Sequence, residues 1–362
     1  MVSNGSYVGN YCIIKDIASG AFGQVYLAQH AVLTNRTVAI KLLHMIHFSS
    51  PQETARFFKE AQILERLKHP HILSIIDIGI HEGFPYLVTE YASNGSLRDY
   101  IQRPSPRRLS QEKVLTILSQ IGQALQHALQ QGIIHRDLKP ENILFNAEGK
   151  ALLADFGLAT MLATASVKEA SIVGTLAYMA PEQFGNTICK ESDQYALGCI
   201  AYELFTGRAP FDATNIATLV AQCLQEEPIP PRRYNPQLPI NIEAAILKAL
   251  SKDRAKRHSD IAAFIAALNI SASTLSDDAR KQWETEVIGI VLMFPGNKEM
   301  IIAACERILQ LDPSFGGAYY YKGVALYDLE RYSEALAALR SQHLLIPIIH
   351  QAGSTKEMYS SV

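Results

Sequence analysis

The stretch His135-Arg136-Asp137-Leu138-Lys139-Pro140-Glu141-Asn142, followed by Asp155-Phe156-Gly157, holds the densest chemistry in this sequence. An aspartate, a lysine two positions on and an asparagine three further, then a second aspartate beyond a short hairpin-like segment, are the parts that phosphoryl transfer requires. Asp137 is placed to receive the proton of an acceptor hydroxyl, a role usually worth ~10²–10⁴ in rate. Lys139 brings a cation for the moving phosphoryl group, and Asn142 and Asp155 offer the hard oxygen ligands that a magnesium ion takes. Further upstream, Lys41 closes the apolar run Val38-Ala39-Ile40. An ammonium there needs a partner, because an unpaired charge in a low-dielectric site is strongly unfavourable; Glu60, on the helix that follows, is the candidate.

These side chains need elements to position them. From Tyr11 to Ala28 the pattern is strand, glycine-rich turn, strand, with Ile17-Ala18-Ser19-Gly20-Ala21-Phe22-Gly23-Gln24-Val25 at its centre. Glycine has no Cβ, so its backbone N–H can approach a phosphate oxygen closely. Thr34-Asn35-Arg36 is a turn signal, and Val38 to Lys41 reads as the next antiparallel strand. Ser50-Pro51-Gln52-Glu53 opens a helix as a capping box with proline in the first turn, and Phe57, Ala61, Leu64 and Leu67 continue it at helical spacing. Tyr86-Leu87-Val88 is a buried strand running into a connector at Thr89 to Ala92. Ser110 caps a long helix carrying Val114, Ile117, Leu118, Ile121, Leu125 and Leu129 on one face, and Gly132 ends it.

In this order the strings resemble the eukaryotic-type protein kinases, in their bacterial Hanks-type serine/threonine branch. The resemblance implies an α+β, bilobal protein-kinase fold, with a small antiparallel-sheet N-lobe and a helical C-lobe. It implies ATP with Mg²⁺, or Mn²⁺, as cofactors and protein serine or threonine hydroxyls as acceptors. By the same resemblance Asp137, Lys139, Lys41 and Glu60 are catalytic, with Lys41 on the α- and β-phosphates and Glu60 holding it, while Asn142 and Asp155 hold the metal. Ile17, Ala18, Gly20, Gly23, Val25, Ala39, Lys41, Thr89, Glu90, Ala92 and Leu144 are the expected nucleotide-binding residues. Ala18 departs from the family, whose loop carries a glycine there. Lys139 two residues after Asp137 favours serine or threonine over tyrosine.

Asp155 to Glu182 is the expected activation loop, with Thr160, Thr164, Ser166 and Ser171 as available acceptors. Ser166 or Ser171 is expected to be autophosphorylated and to pair with Arg136 through charge-assisted hydrogen bonds. Thr175 is assigned to the substrate-facing wall. Asp193, opening the helix Ser192 to Gly207, is expected to receive backbone N–H groups of the catalytic loop. Glu182 is matched with Arg257 as a buried ion pair, with Arg254 and Lys256 as rival partners.

The chain has 362 residues, 48% hydrophobic and 19% charged, with a net charge of −2. That balance gives no basic footprint for nucleic acid or an anionic membrane. Five scattered cysteines without a CxxC pair read as thiols in a reducing compartment. Met1 to Asn10 lacks the charged start and apolar core of a signal peptide, and no apolar run approaches the ~20 residues that span a bilayer. A cytoplasmic location without a membrane span is therefore expected. The expected organisation is a flexible N-terminus at 1–10, a kinase domain at 11–270 (lobes 11–92 and 93–270), a linker at 271–281, helical repeats at 282–349 and a disordered tail at 350–362. Gly289 and Gly323, and Pro313 and Pro347, share the ~34-residue spacing of tetratricopeptide units. Tyr319, Gly323, Leu326, Ala335, Leu339 and Pro347 fall on the positions of one such unit, whereas 282–315 matches one poorly; an all-α TPR-like helical hairpin module is therefore expected, either docking onto the kinase lobe, binding a protein partner or self-associating. The competing class is a pseudokinase scaffold that binds nucleotide or partner proteins without turnover.

Overall fold

Along Thr37–Leu42 (β4) buried and open positions alternate: Val38, Ile40 and Leu42 are buried, while Ala39 and Lys41 face the other side. That period of two is what a half-buried strand requires. The structure, a computed structural model, describes residues 2–20, 23–43, 51–103, 109–156, 176–185, 187–213, 215–269, 283, 285, 287, 289, 290, 296–311 and 315–340. Strand β4 lies inside a six-stranded antiparallel sheet with Tyr7–Val8 (β1), Tyr11–Gly20 (β2), Gly23–His30 (β3), Ile75–His81 (β5) and Phe84–Glu90 (β6), in the order β1-β2-β3-β4-β6-β5. Tyr26, Ile40 and Val88, opposite one another in three adjacent strands, make the core of one face.

Strand β1 corrects the expectation of a flexible start. Tyr7 and Val8 pair with Cys12 and Tyr11, and Val8 is fully buried. Gly9, at φ 57°, supplies the left-handed turn residue that the tight hairpin needs.

Beyond the sheet the chain is helical. Pro51–Glu65 (α1) buries Phe57 and Ala61, and Leu97–Gln102 (α2) is opened by a capping box between Ser96 and Asp99. Gln111–Gln130 (α3) is capped by Ser110, whose hydroxyl accepts the Lys113 N–H, and Gly132 follows it at φ 75°. Its buried stripe of Val114, Ile117, Leu118, Ile121 and Leu125 joins the largest core. A short hairpin of Ile143–Phe145 (β7) and Ala151–Leu153 (β8) lies after the catalytic loop. Lys190–Thr206 (α4) is the rod of this region: all residues from Ser192 to Thr206 are buried, and Gly207 ends it in the left-handed conformation. Ile216–Gln225 (α5), Ile240–Ala249 (α6) and Ile261–Asn269 (α7) complete it.

The chain divides into two compact units, the first carrying the sheet and the helices around α4. The second contains Lys298–Leu311 (α8), Gly316–Asp328 (α9) and Tyr332–Arg340 (α10), packed in sequence. Its core includes Val287, Ile301, Cys305, Ile308, Ala318 and Leu326. A Cβ on Gly323 would lie 2.7 Å from Leu339 Cγ, so the glycine is what lets α9 and α10 approach. No helix among the described residues is long and apolar enough to cross a membrane.

Candidate active site

The sheet register gathers one group of side chains. Ala18 stands opposite Val25, Val25 opposite Lys41, and Ala39 opposite Thr89. Directly opposed residues share a face, so these five lie together on the side of the sheet away from Tyr26 and Ile40. Gly20 opposes Gly23 at the tip. A Cβ on Gly23 would lie 2.9 Å from the Leu42 carbonyl carbon, so only glycine permits that backbone approach. Ile17 sits beside a register shift in β2 and is exposed. The Glu90 carboxylate accepts the Ser74 N–H at 2.9 Å, and the Thr89 hydroxyl donates to the Glu90 carbonyl at 3.2 Å. Ala92 follows in the half-buried connector. Leu144, central in β7, bridges to Ser96.

Across from that face, the catalytic loop is fixed from below. Both oxygens of the buried Asp193 carboxylate accept backbone N–H groups, from His135 at 2.7 Å and Arg136 at 3.0 Å. Burial raises the Asp193 carboxyl from its ordinary value, against the opposing pull of His135 and Arg136. The fully buried His135 ring reaches the Ala154 carbonyl through Nε2 at 2.8 Å and packs on Phe156. The Ala154 N–H donates to the Asn142 carbonyl at 2.8 Å. One carboxylate thereby sets the position of the loop, and the loop sets the position of Asp155.

Asp137 and its neighbours form a tight group. Lys139 Nζ lies 2.9 Å from Asp137 Oδ2, and Asn142 Nδ2 donates to the Asp137 carbonyl at 2.8 Å and to Oδ2 at 3.2 Å. Arg136 and Asp155 are non-glycine residues at φ 71° and 62°, a conformation costing about 1–3 kcal/mol each. Such strain persists only where surroundings impose it, and here it aims the two aspartates flanking the hairpin.

Lys41 Nζ meets Asp155 Oδ2 at 2.6 Å, joining β4 to the segment after β8. Burial alone would raise the Asp155 carboxyl; Lys41, with smaller contributions from His135 and Lys139, outweighs that and holds it below the usual carboxylate range. The expected partner of Lys41, Glu60, has its backbone in α1, while its side chain lies outside the described residues. Gly157, Thr160, Thr164, Ser166, Ser171 and Thr175 also lie outside them.

The donors fit a hard divalent cation and a nucleotide. Asn142 uses its amide N–H₂ on Asp137, which leaves its oxygen for another partner, and Asp155 has one oxygen beyond the contact with Lys41. Two side-chain oxygens, one on a carboxylate that also meets a lysine, suit a metal that also takes phosphate oxygens and water.

Two further ion pairs brace the site. Arg257, with its side chain fully buried, grips Glu182 through two parallel bonds of 2.8 Å. Arg254 and Lys256, the rival candidates, are exposed. The second pair was not legible: Arg98 on α2 donates Nε to Glu141 at 2.8 Å, Nη1 to Glu203 at 2.8 Å and Nη2 to the Tyr178 hydroxyl, which in turn donates to Glu203. The one trace of it in the sequence is a glutamate, Glu203, inside the otherwise apolar run Tyr195 to Phe205.

Comparison with known proteins points to one family. The protein kinase domain family matches residues 11–269. The chain is 39% identical over 252 residues to serine/threonine-protein kinase PrkC of Bacillus subtilis, covering 69% of this chain and 38% of that protein. It is 35% identical over 257 residues to serine/threonine-protein kinase PknB of Mycobacterium tuberculosis, covering 69% and 41%. The chain therefore spans about two fifths of the length of these curated relatives. Among solved structures, the kinase domain of Mycobacterium tuberculosis PknI superposes with a TM-score of 0.59 at 27% identity, over 74% of this chain and 99% of that one.

Proposed function

From the premise that this chain belongs to the protein kinase family, in its serine/threonine branch, we propose that it transfers the γ-phosphoryl group of ATP to serine and threonine hydroxyls of proteins. The observation carrying the proposal is the 2.6 Å contact of Lys41 with Asp155, in a site that Asn142 links directly to Asp137. The sheet's phosphate-side cation and the helical region's metal-side carboxylate thus share one place with a candidate base. A bound metal would neutralise phosphate charge. Asp137 orients the acceptor hydroxyl and takes its proton, Lys139 stabilises charge on the transferring group, and Lys41 positions the nucleotide's other phosphates. Ala18 alone among the core motifs favours a non-catalytic scaffold.

Arg136 Nε is buried and has no hydrogen-bond partner among the described residues. A guanidinium donor left open beside the catalytic loop supports the reading that a phosphorylated loop residue, Ser166 or Ser171, docks there. One experiment tests both statements: purified protein incubated with radiolabelled ATP and then mapped by phosphopeptide digestion. Lys41→Met is expected to lower incorporation at least about 10²-fold, as loss of a preorganised charge contact in a catalytic site does. Equal labelling of wild type and variant would remove the catalytic reading, and active enzyme unmodified at both serines would remove the docking reading.

We also assign α8 to α10 to a TPR-like interaction module. The Gly323 contact with Leu339, at two of the expected repeat positions, supports this. Two such units rarely bury their apolar faces alone, so self-association is expected. Light scattering should give a dimer mass for the full chain, and a monomer mass at every concentration would count against it.

A further inference from the structure

Four residues far apart in sequence, Arg98, Glu141, Tyr178 and Glu203, meet at one point beside the candidate base. Glu141 is on the same loop as Asp137, and Tyr178 lines a small cavity together with Asp137 and Leu138. The two carboxylates differ in position. Glu203 is 8% exposed, whereas Glu141 is 43% exposed and so can meet a group arriving from solvent. Without Arg98 this would be an unneutralised pair of carboxylates, one of them on the loop of Asp137, which is what a peptide arginine or lysine would seek. Arg98 already satisfies both. Its side chain is only 19% exposed, and three of its nitrogens are committed. Burial disfavours its charge, but Tyr178, Glu141 and Glu203 together hold it firmly protonated.

Resting on the kinase reading, we propose that Arg98 determines specificity: its guanidinium fills from within the acidic subsite that a basic acceptor side chain would otherwise occupy, so that the enzyme takes acceptors without selecting arginine or lysine. Specificity of this kind comes from occupying a site against the wrong partner rather than from adding contacts to the right one. A purely structural clamp between α2, the catalytic loop and α4 would hold the fold without changing which peptides bind, so the two roles separate in a specificity measurement.

The test uses the full chain and a set of serine peptides in which arginine replaces alanine at each position around the acceptor. Binding is read by fluorescence anisotropy and transfer by radiolabel. Wild type is expected to bind arginine and alanine peptides within about threefold at every position. Arg98→Met, which keeps the apolar stem and removes the charge, should favour arginine about tenfold at one position, the size of one charge-assisted contact. Adding Glu141→Gln should remove most of that gain. If the methionine variant does not fold, Arg98→Lys serves instead, since one ammonium cannot satisfy both carboxylates and an intermediate preference should appear. A wild type that already favours arginine tenfold, or folded variants with the wild-type ratio, would overturn the proposal. Peptides that bind but are never phosphorylated by any form would instead overturn the kinase reading, while the binding ratios would still decide the role of Arg98.

Discussion

Replacing Asp137 with asparagine will slow phosphoryl transfer by about 10²–10⁴-fold while leaving nucleotide affinity nearly unchanged. The amide keeps the size of the carboxylate, so the loop, held by Asp193 through the His135 and Arg136 N–H groups, has no reason to move. What changes is the chemistry at one atom. Asp137 Oδ2 faces Lys139 at 2.9 Å and Asn142 at 3.2 Å. Whichever way an asparagine turned, it would keep a single acceptor oxygen, set an N–H₂ among those donors, and have no basic oxygen for the substrate proton. Lys41 and Asp155 are untouched, so the loss should fall on the rate constant of single-turnover transfer and not on a nucleotide titration. An asparagine variant retaining a tenth or more of the wild-type rate would show that another group takes the proton.

How much of this was readable beforehand follows from how local each interaction is. The candidate loop could be singled out because its charged residues lie within one contiguous string, from His135 to Asn142. Helix α3 was legible because its apolar stripe lies within its own length and its caps, Ser110 and Gly132, lie within two residues of its ends. The pairing of Asp193 with the loop came from resemblance, and the fold supplies its geometry, with both carboxylate oxygens on backbone N–H groups. Strand β1 was missed because a two-residue strand has no periodicity to detect; only pairing with Tyr11 and Cys12 defines it. The contact of Lys41 with Asp155 spans 114 positions and depends on how the sheet meets the helical region, which no window of sequence contains. The Arg98 cluster draws on four separate segments for the same reason. A buried glutamate such as Glu203 announces that a partner exists without saying which arginine it is.

Arg257→Met will destabilise the protein by about 3–5 kcal/mol at neutral pH, the usual cost of removing one member of a buried ion pair. Four of the five guanidinium N–H donors are used: two on Glu182, one on the Glu191 carbonyl and one from Nε on the Ser251 carbonyl. Methionine fills the space but leaves the carboxylate, among the described residues, with the Ser192 hydroxyl and the Cys189 thiol as its side-chain partners. The defect should show a pH signature. Burial would raise the Glu182 carboxyl, yet its hydrogen bonds to Arg257, backbone and Ser192 hold it down at about 2, against 4.5 for an ordinary glutamate. A carboxyl depressed on folding contributes its stability above the unfolded value and loses it as pH falls towards the folded one. That difference corresponds to roughly 3 kcal/mol, present above pH ~5 and drained progressively between about 4.5 and 2. Other carboxylates titrate in the same range, so the informative quantity is the gap between wild type and variant in urea denaturation, measured from pH 7 to pH 3. The gap should narrow by roughly 2 kcal/mol over that interval. A constant gap would mean that Arg257 stabilises by packing alone. Glu182 is also linked to chemistry, because its neighbour Gln183 donates to the Arg136 carbonyl at 3.1 Å. Transfer activity should therefore fall with the variant even at temperatures where it remains folded, as the segment at 176–185 loosens from the catalytic loop.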